Sequence, residues 1–224
     1  MTFSVVARCA ETGMFGLSIT SSSPAVAARC SYARADVGAV ASQNVTDPSL
    51  GPFVLDAMAE GKSATEAVAQ CVQNHSHMDY RQVLAVDAHG NSAIHSGPNS
   101  LGIWTQASGL NVACGGNLLD NDSIPQAMVD EFLASRGDLG TRLVQVMKAG
   151  LAAGGEAGDV HSAGLKLVDK VSWPVADLRV DWTEHCPIAE LEMLWGIYQP
   201  QLNDYVQRAL NPTEAPSYGV PGDE

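Results

Sequence analysis

The sequence predicts an α+β fold, a four-layer α-β-β-α sandwich with mostly antiparallel sheets. Three observations predict it. Strand-like segments fall in hairpin pairs, which gives antiparallel ladders. Helix-like segments fall in pairs between groups of strands and do not alternate singly with them, which argues against a doubly wound sheet. The chain has 224 residues, 46% of them hydrophobic, and a single domain of this length buries roughly 70% of its surface. Two stacked sheets with helix pairs outside use that apolar content on both inner faces.

Each element has its own signal. Residues 2–8 are β-rich and read as a strand; Glu11-Thr12-Gly13 turns the chain, and 14–21 returns as the second strand of a hairpin. Three serines and Pro24 break it. Residues 37–43 form a small-residue strand in which Gly38 permits close approach of another backbone. Asp47-Pro48 reads as a helix start, with Phe53, Val54, Ala57 and Met58 as its stripe and Gly61 as its stop. Ser63 followed by Glu66 is a capping box, opening a helix to about Gln73. Residues 82–86 and 92–96 form a hairpin, as do 103–106 and 111–114. Ile124-Pro125 opens a helix closed by Gly137. Asp138 caps the next, which carries Leu139, Leu143, Val146, Met147 and Gly150 on one face and ends at Gly154-Gly155. Strands are predicted at 162–168 and 175–180, and a last amphipathic helix at 187–198. Residues 1–210 therefore read as one domain. The stretch 211–224, with three prolines, reads as a frayed tail.

Charge narrows the function. Lys and Arg number 12 against 25 Asp and Glu, a net charge of −13. Such a chain is repelled by phosphate backbones and anionic lipid, so nucleic-acid and membrane-surface roles are not expected. No apolar run reaches the ~18 residues of a membrane span, and the first residues lack the pattern of a secretory signal. Cys9, Cys30, Cys71, Cys114 and Cys186 are odd in number, widely spaced and without a C-x-x-C pair. Reduced thiols in a cytoplasmic setting are the expectation.

Common catalytic motifs are absent: no phosphate-binding G-x-x-x-x-G-K-[ST], no H-E-x-x-H, no G-x-S-x-G. His75-Ser76-His77 has no acidic or Cys partner at ligand spacing, so no metal or other cofactor is expected. Gly115-Gly116-Asn117 follows a predicted strand. It reads either as a plain turn or as a place where backbone N–H groups face a ligand. Thr2 stands out. Met is usually removed before a small residue such as Thr. Removal leaves Thr2 with a hydroxyl nucleophile and an α-amine of pKa roughly 7.7–8.0 to take its proton. The alternative is an ordinary first strand residue.

Several segments carry a family resemblance. Thr2-Phe3-Ser4-Val5-Val6-Ala7-Arg8, Glu11-Thr12-Gly13 and Gly16-Leu17-Ser18-Ile19 come first. Val37-Gly38-Ala39-Val40-Ala41-Ser42-Gln43, Pro48-Ser49-Leu50-Gly51-Pro52, Arg81-Gln82, Val86-Asp87 with Gly90, and His95-Ser96-Gly97 follow. Gly116-Asn117-Leu118-Leu119, Ser162-Ala163 and Asp177-Leu178-Arg179-Val180-Asp181 complete the series. In this order they resemble the domain-of-unknown-function-1028 family through about residue 198. That family is similar in fold to N-terminal nucleophile (Ntn) hydrolases.

The resemblance implies an amidohydrolase in which Thr2 attacks an amide carbonyl and water releases the acyl group. It implies oxyanion donors, for which the Gly116 N–H and the Asn117 side chain are the candidates, each worth roughly 3 kcal/mol. Arg81 would hold a substrate carboxylate or depress the amine pKa, with a structural ion pair as the other reading. Asn44 would line the cleft or stabilise a turn, and Ser21 is grouped with the substrate-binding residues. His161 would relay a proton or serve structurally. The chain departs from the pattern at 21–23, where relatives often carry a larger or basic residue. It also has no Lys before Lys62, so Arg8, Arg29, Arg34 or Arg81 would tune the amine. The substrate would be a small amide, ureide, peptide or cyclic imide. A catalytically silent binding or assembly module is the second reading, and a metal hydrolase using His75, His77 or His185 the third. Trp195 and Tyr198, beside Ile188 and Leu194, read as core or as a homodimer patch.

Overall fold

A computed structural model of the chain describes residues 1–222. The element order is β1 (Thr2–Arg8), β2 (Phe15–Ser21), α1 (Val26–Cys30), β3 (Ser31–Arg34), β4 (Gly38–Asn44), α2 (Leu50–Ala59) and α3 (Ala64–Asn74). There follow β5 (Arg81–Asp87), β6 (Ser92–Ser96), β7 (Ile103–Gly109), β8 (Val112–Leu119), α4 (Ile124–Ala134) and α5 (Leu139–Ala152). The chain ends on β9 (Ser162–Val168), β10 (Ala176–Val180), α6 (Pro187–Tyr198) and α7 (Leu202–Leu210). The strands form a six-stranded sheet, β10-β9-β2-β1-β8-β7, and a four-stranded sheet, β3-β4-β5-β6. Their pairings are antiparallel.

Strand alternation builds the four layers. Phe3, Val5 and Ala7 of β1 face outward and pack with Met128, Phe132, Leu143, Met147, Leu191 and Trp195 of the helices. Val6 of β1 with Leu17 and Ile19 of β2 faces inward, against Ala39, Ala41, Leu84 and Val86 of the other sheet. On that sheet's far side Val40, Val83 and Ala85 meet Leu50, Val54, Met58, Val68 and Cys71 of α2 and α3. Helices therefore cover both outer faces. No helix among the described residues is long and apolar enough to cross a membrane.

Local chemistry acts where it was expected in most places. Ser63 and Glu66 close a reciprocal capping box on α3, and the Asp138 side chain accepts the Thr141 N–H at 2.9 Å. Gly38 lies so near the facing strand that a Cβ there would stand 2.4 Å from the Val86 carbonyl oxygen. Gly38→Ala is therefore expected to cost about 1–3 kcal/mol of stability. A thermal melt checks this; an unchanged Tm would refute it.

Other elements differ from the sequence reading. The chain between Pro24 and Gly38 forms α1 and β3, which short length and small residues concealed. Asp47 does not cap α2, because its carboxylate holds the N–H and hydroxyl of Ser49 just before the helix. Gly115-Gly116-Asn117 is no turn after a strand: β8 continues through it to Leu119. On α6, Ile188 and Trp195 are buried in the core, while Leu194 and Tyr198 pack against it partly exposed; the Trp195 indole donates to Thr141 Oγ1 at 3.0 Å. Past α7, residues 211–222 carry no helix or strand, and Arg208 Nη2 reaches the Pro216 carbonyl at 3.0 Å. Residues 223–224 of the predicted tail lie outside the described residues.

Candidate functional site

Directly opposed residues of an antiparallel pair share one face of the sheet. Thr2 opens β1, opposite Ser21 on β2 and Asn117 on β8. Two residues along, Ser4 turns to the four-stranded sheet and donates to Gln43 Oε1 at 2.6 Å. Alternation puts Thr2, Ser21 and Asn117 on that same inner face, at its end. Thr2 is buried, and its Oγ1 lies 3.2 Å from Ser21 Oγ. Both hydroxyls converge on the Met1 carbonyl oxygen, with Thr2 Oγ1 at 2.5 Å. The Ser23 N–H donates to Ser21 Oγ at 3.1 Å and fixes it from behind.

A buried polar network lies behind these three. Gln43 Nε2 donates to Gln82 Oε1 at 2.7 Å and to the Gly115 carbonyl at 3.1 Å. Gln82 Nε2 donates to Ser96 Oγ at 3.0 Å and to the Gly116 carbonyl at 3.2 Å. Asn117 Nδ2 donates to Gln82 Oε1 at 3.3 Å. Ser4, Gln43, Gln82 and Asn117 are all within 1% of complete burial. Polar groups that deep survive only when bonded, so the network fixes where Asn117 points.

A cleft of about 590 Å³ opens next to these residues, lined in part by Glu156, Gly158, His161 and His185; His161, bonded to Ser21, and Gly158, beside Met1, connect it to Thr2, which does not itself line it. The Met1 side chain lies against its wall, where a Cβ on Gly158 would be 3.2 Å from Met1 Cε. Glu156 pairs with Leu119 through an isolated bridge that extends beyond β8. Its residue is only 7% exposed, and neither carboxylate oxygen makes a hydrogen bond. Burial pushes its carboxyl up to about 8; the α-amino group of Met1 and the Ser22 N–H, which lie nearby without making a hydrogen bond to it, pull the other way.

The predicted site residues divide into two groups. Thr2, Ser21 and Asn117 come together. His161 is tied to them through its backbone N–H, which donates to the Ser21 carbonyl at 2.9 Å, while its ring stacks on Trp182 and bonds the Thr183 carbonyl through Nδ1. Gly116 is adjacent, but its contact with the inner network is through its carbonyl. Arg81 and Asn44 are opposed across β4 and β5 and are out of phase with inward-facing Gln43 and Gln82. Alternation turns Arg81 to the other face of the four-stranded sheet. There Arg81 Nη1 donates to the Val45 carbonyl. Asn44, at φ 72°, bridges the Tyr80 carbonyl and the Leu101 N–H. Neither side chain is directed at Thr2. His75 bonds the Cys71 carbonyl through Nδ1, and no three His, Cys, Asp or Glu side chains converge as metal ligands among the described residues.

Sequence reasoning missed Glu156, Gln43 and Gln82. The glutamines carried a signal, being polar residues at the ends of otherwise apolar strands. Glu156 carried little beyond standing between glycines after a helix.

Comparison with known proteins places the chain. A crystal structure of a protein from Silicibacter pomeroyi, itself assigned to DUF1028, is 28% identical, with a TM-score of 0.85 over 92% of this chain and 90% of that one. The ancestral β-subunit Anbu from Yersinia bercovieri is a distant match, 9% identical with a TM-score of 0.38 over 97% of this chain and 100% of that one. No curated protein matches. The model of the family of unknown function DUF1028 matches residues 2–191, and the chain belongs to that family.

Proposed function

We propose that the protein hydrolyses a C–N bond of a small amide, with Thr2 as the nucleophile once removal of Met1 has made it the amino-terminal residue. The observation that carries this reading is the convergence of the Thr2 and Ser21 hydroxyls on one carbonyl oxygen beside an open cleft. In the proposed reaction the Thr2 α-amine takes the hydroxyl proton as Oγ1 bonds the substrate carbonyl carbon. Ser21 Oγ and Asn117 Nδ2 supply donors to the oxygen that becomes negative. The C–N bond breaks, the proton passes to the leaving amine, and water then hydrolyses the ester on Thr2. The four-layer sandwich with Thr at the head of a central strand supports an Ntn-type arrangement. Arg81, on the opposite face of its sheet, has no part in this scheme.

One observation favours a catalytically silent binding module instead: no Lys or Arg lines the cleft to depress the amine pKa. The two readings separate by experiment. Intact mass establishes whether Met1 is lost, and a screen of small amides, ureides and peptides follows. Thr2→Ala is expected to lower turnover at least ~10³-fold with Tm unchanged within a degree or two. Normal hydrolysis by Thr2→Ala would reject the mechanism. A chain that begins at Thr2 and turns over nothing in the screen would favour the binding module.

A further inference from the structure

Met1 occupies the position of an acyl group. Its carbonyl oxygen meets the Thr2 and Ser21 hydroxyls, its side chain lies against Gly158 in the cleft wall, and its α-amino group is close enough to Glu156 to act on it electrostatically. The cleft is one-sided in charge. Asp120, Glu156, Asp159 and Glu184 line it with His161 and His185, and neither Lys nor Arg does. Two of these acids have neighbours: Glu184 Oε1 accepts from Trp182 Nε1 at 2.9 Å, and Asp120 Oδ2 from Asn121 Nδ2 at 3.3 Å. Glu156 is different. It is more than nine-tenths buried, lines the cleft, and has no hydrogen-bond partner on either oxygen. A buried carboxyl without a partner keeps its proton because ionising it there is costly, unless a bound cation favours the charged form, and such groups cluster where ligands bind.

Resting on the hydrolase reading, the geometry points to a substrate whose acyl group carries a free ammonium next to the scissile carbonyl, with Glu156 as that ammonium's counter-ion. The class is an α-aminoacyl amide or the amino-terminal residue of a short peptide. The substrate carbonyl replaces that of Met1, its side chain takes the place of the Met1 side chain, and its ammonium, not held by a peptide bond to Thr2, closes from the place of the Met1 α-amino group, which makes no hydrogen bond to Glu156, onto that carboxylate. The C–N bond on the carbonyl breaks, a C–O bond to Thr2 and then to water replaces it, and the products are an amino acid and an amine. A carboxylate-bearing acyl group is repelled by the same wall.

The test reads binding apart from turnover. Thr2→Ala protein is released from a cleavable fusion so that it begins at residue 2, and calorimetry compares three probes: L-methioninamide, its desamino analogue 4-(methylthio)butanamide, and N-acetyl-L-methioninamide. Methioninamide is expected to bind at least about tenfold more tightly than either neutral probe. Adding Glu156→Gln is expected to bring the three within about threefold of one another. A chain that still begins at Met1 is expected to bind methioninamide at least about tenfold more weakly, because Met1 fills the subsite. Equal affinities, a preference that survives Glu156→Gln, or no binding of methioninamide at about 10 mM would each overturn the proposal. The hydrolase reading fails separately, by normal turnover in Thr2→Ala.

Discussion

Glu156→Gln is expected to stabilise the protein at alkaline pH and to leave it nearly unchanged near pH 4.5. The Glu156 carboxyl lies near its ordinary value of 4.5 when the chain is unfolded and at about 8 in the fold, where burial disfavours the charged form. Below 4.5 the group is protonated in both states and costs nothing. Between 4.5 and about 8 the unfolded chain releases the proton and the folded one keeps it, so stability falls as pH rises. Above 8 the whole penalty is present. Each pKa unit corresponds to about 1.4 kcal/mol, and the full effect is on the order of a few kcal/mol. Gln carries no charge and escapes the penalty. Calorimetric melts of the two proteins should nearly coincide at pH 4.5 and diverge to roughly 5–10 °C at pH 9, the variant higher. All other titrating groups are shared, so the difference isolates Glu156. Parallel Tm curves across this range would show that Glu156 is solvated and paired in the folded protein.

Gln82→Met is expected to be among the most damaging conservative changes. Met fills nearly the same volume, so the effect is not a cavity. It is the loss of four hydrogen bonds at a completely buried position. Gln43 Nε2 and Asn117 Nδ2 lose their shared acceptor, while Ser96 Oγ and the Gly116 carbonyl lose a donor. Each buried polar group left unmade costs about 1–3 kcal/mol. With Gln43 retaining Ser4 and the Gly115 carbonyl, a total of about 3–5 kcal/mol is expected. That is a large share of the ~5–15 kcal/mol of a typical domain. Urea unfolding with an unchanged m-value measures it, and a loss below about 1 kcal/mol would mean that water or a rearranged Asn117 replaces Gln82.

How much of this could be read in advance varies residue by residue. The hairpins, the Ser63 capping box, the Asp138 cap and the close approach at Gly38 were legible, because each depends on a few neighbouring residues and on backbone geometry. The position of Thr2 at the head of a buried strand was legible for the same reason, and it brought Ser21 along as the far end of the first hairpin. Arg81 was misplaced by one step of alternation: residues 81 and 82 face opposite sides of β5, and the inward one is Gln82. Nothing in a single strand states which face looks toward Thr2. The Gly-Gly pair in β8 looked like a turn because glycine weakens a strand's local signal. Pairing with β1 on one side and β7 on the other overrides that weakness.

The divide follows the range of the forces. Helix caps, turns and strand period act over two to four residues, so most elements and the sandwich itself could be inferred from the chain read in line, while α1, β3 and α7 were not. The cleft could not. It depends on residue 156 returning to residues 1, 22 and 119, far apart in sequence. Burial is a property of everything packed around a side chain, so a glutamate between glycines became a stranded acid only when the sheets and helices closed over it.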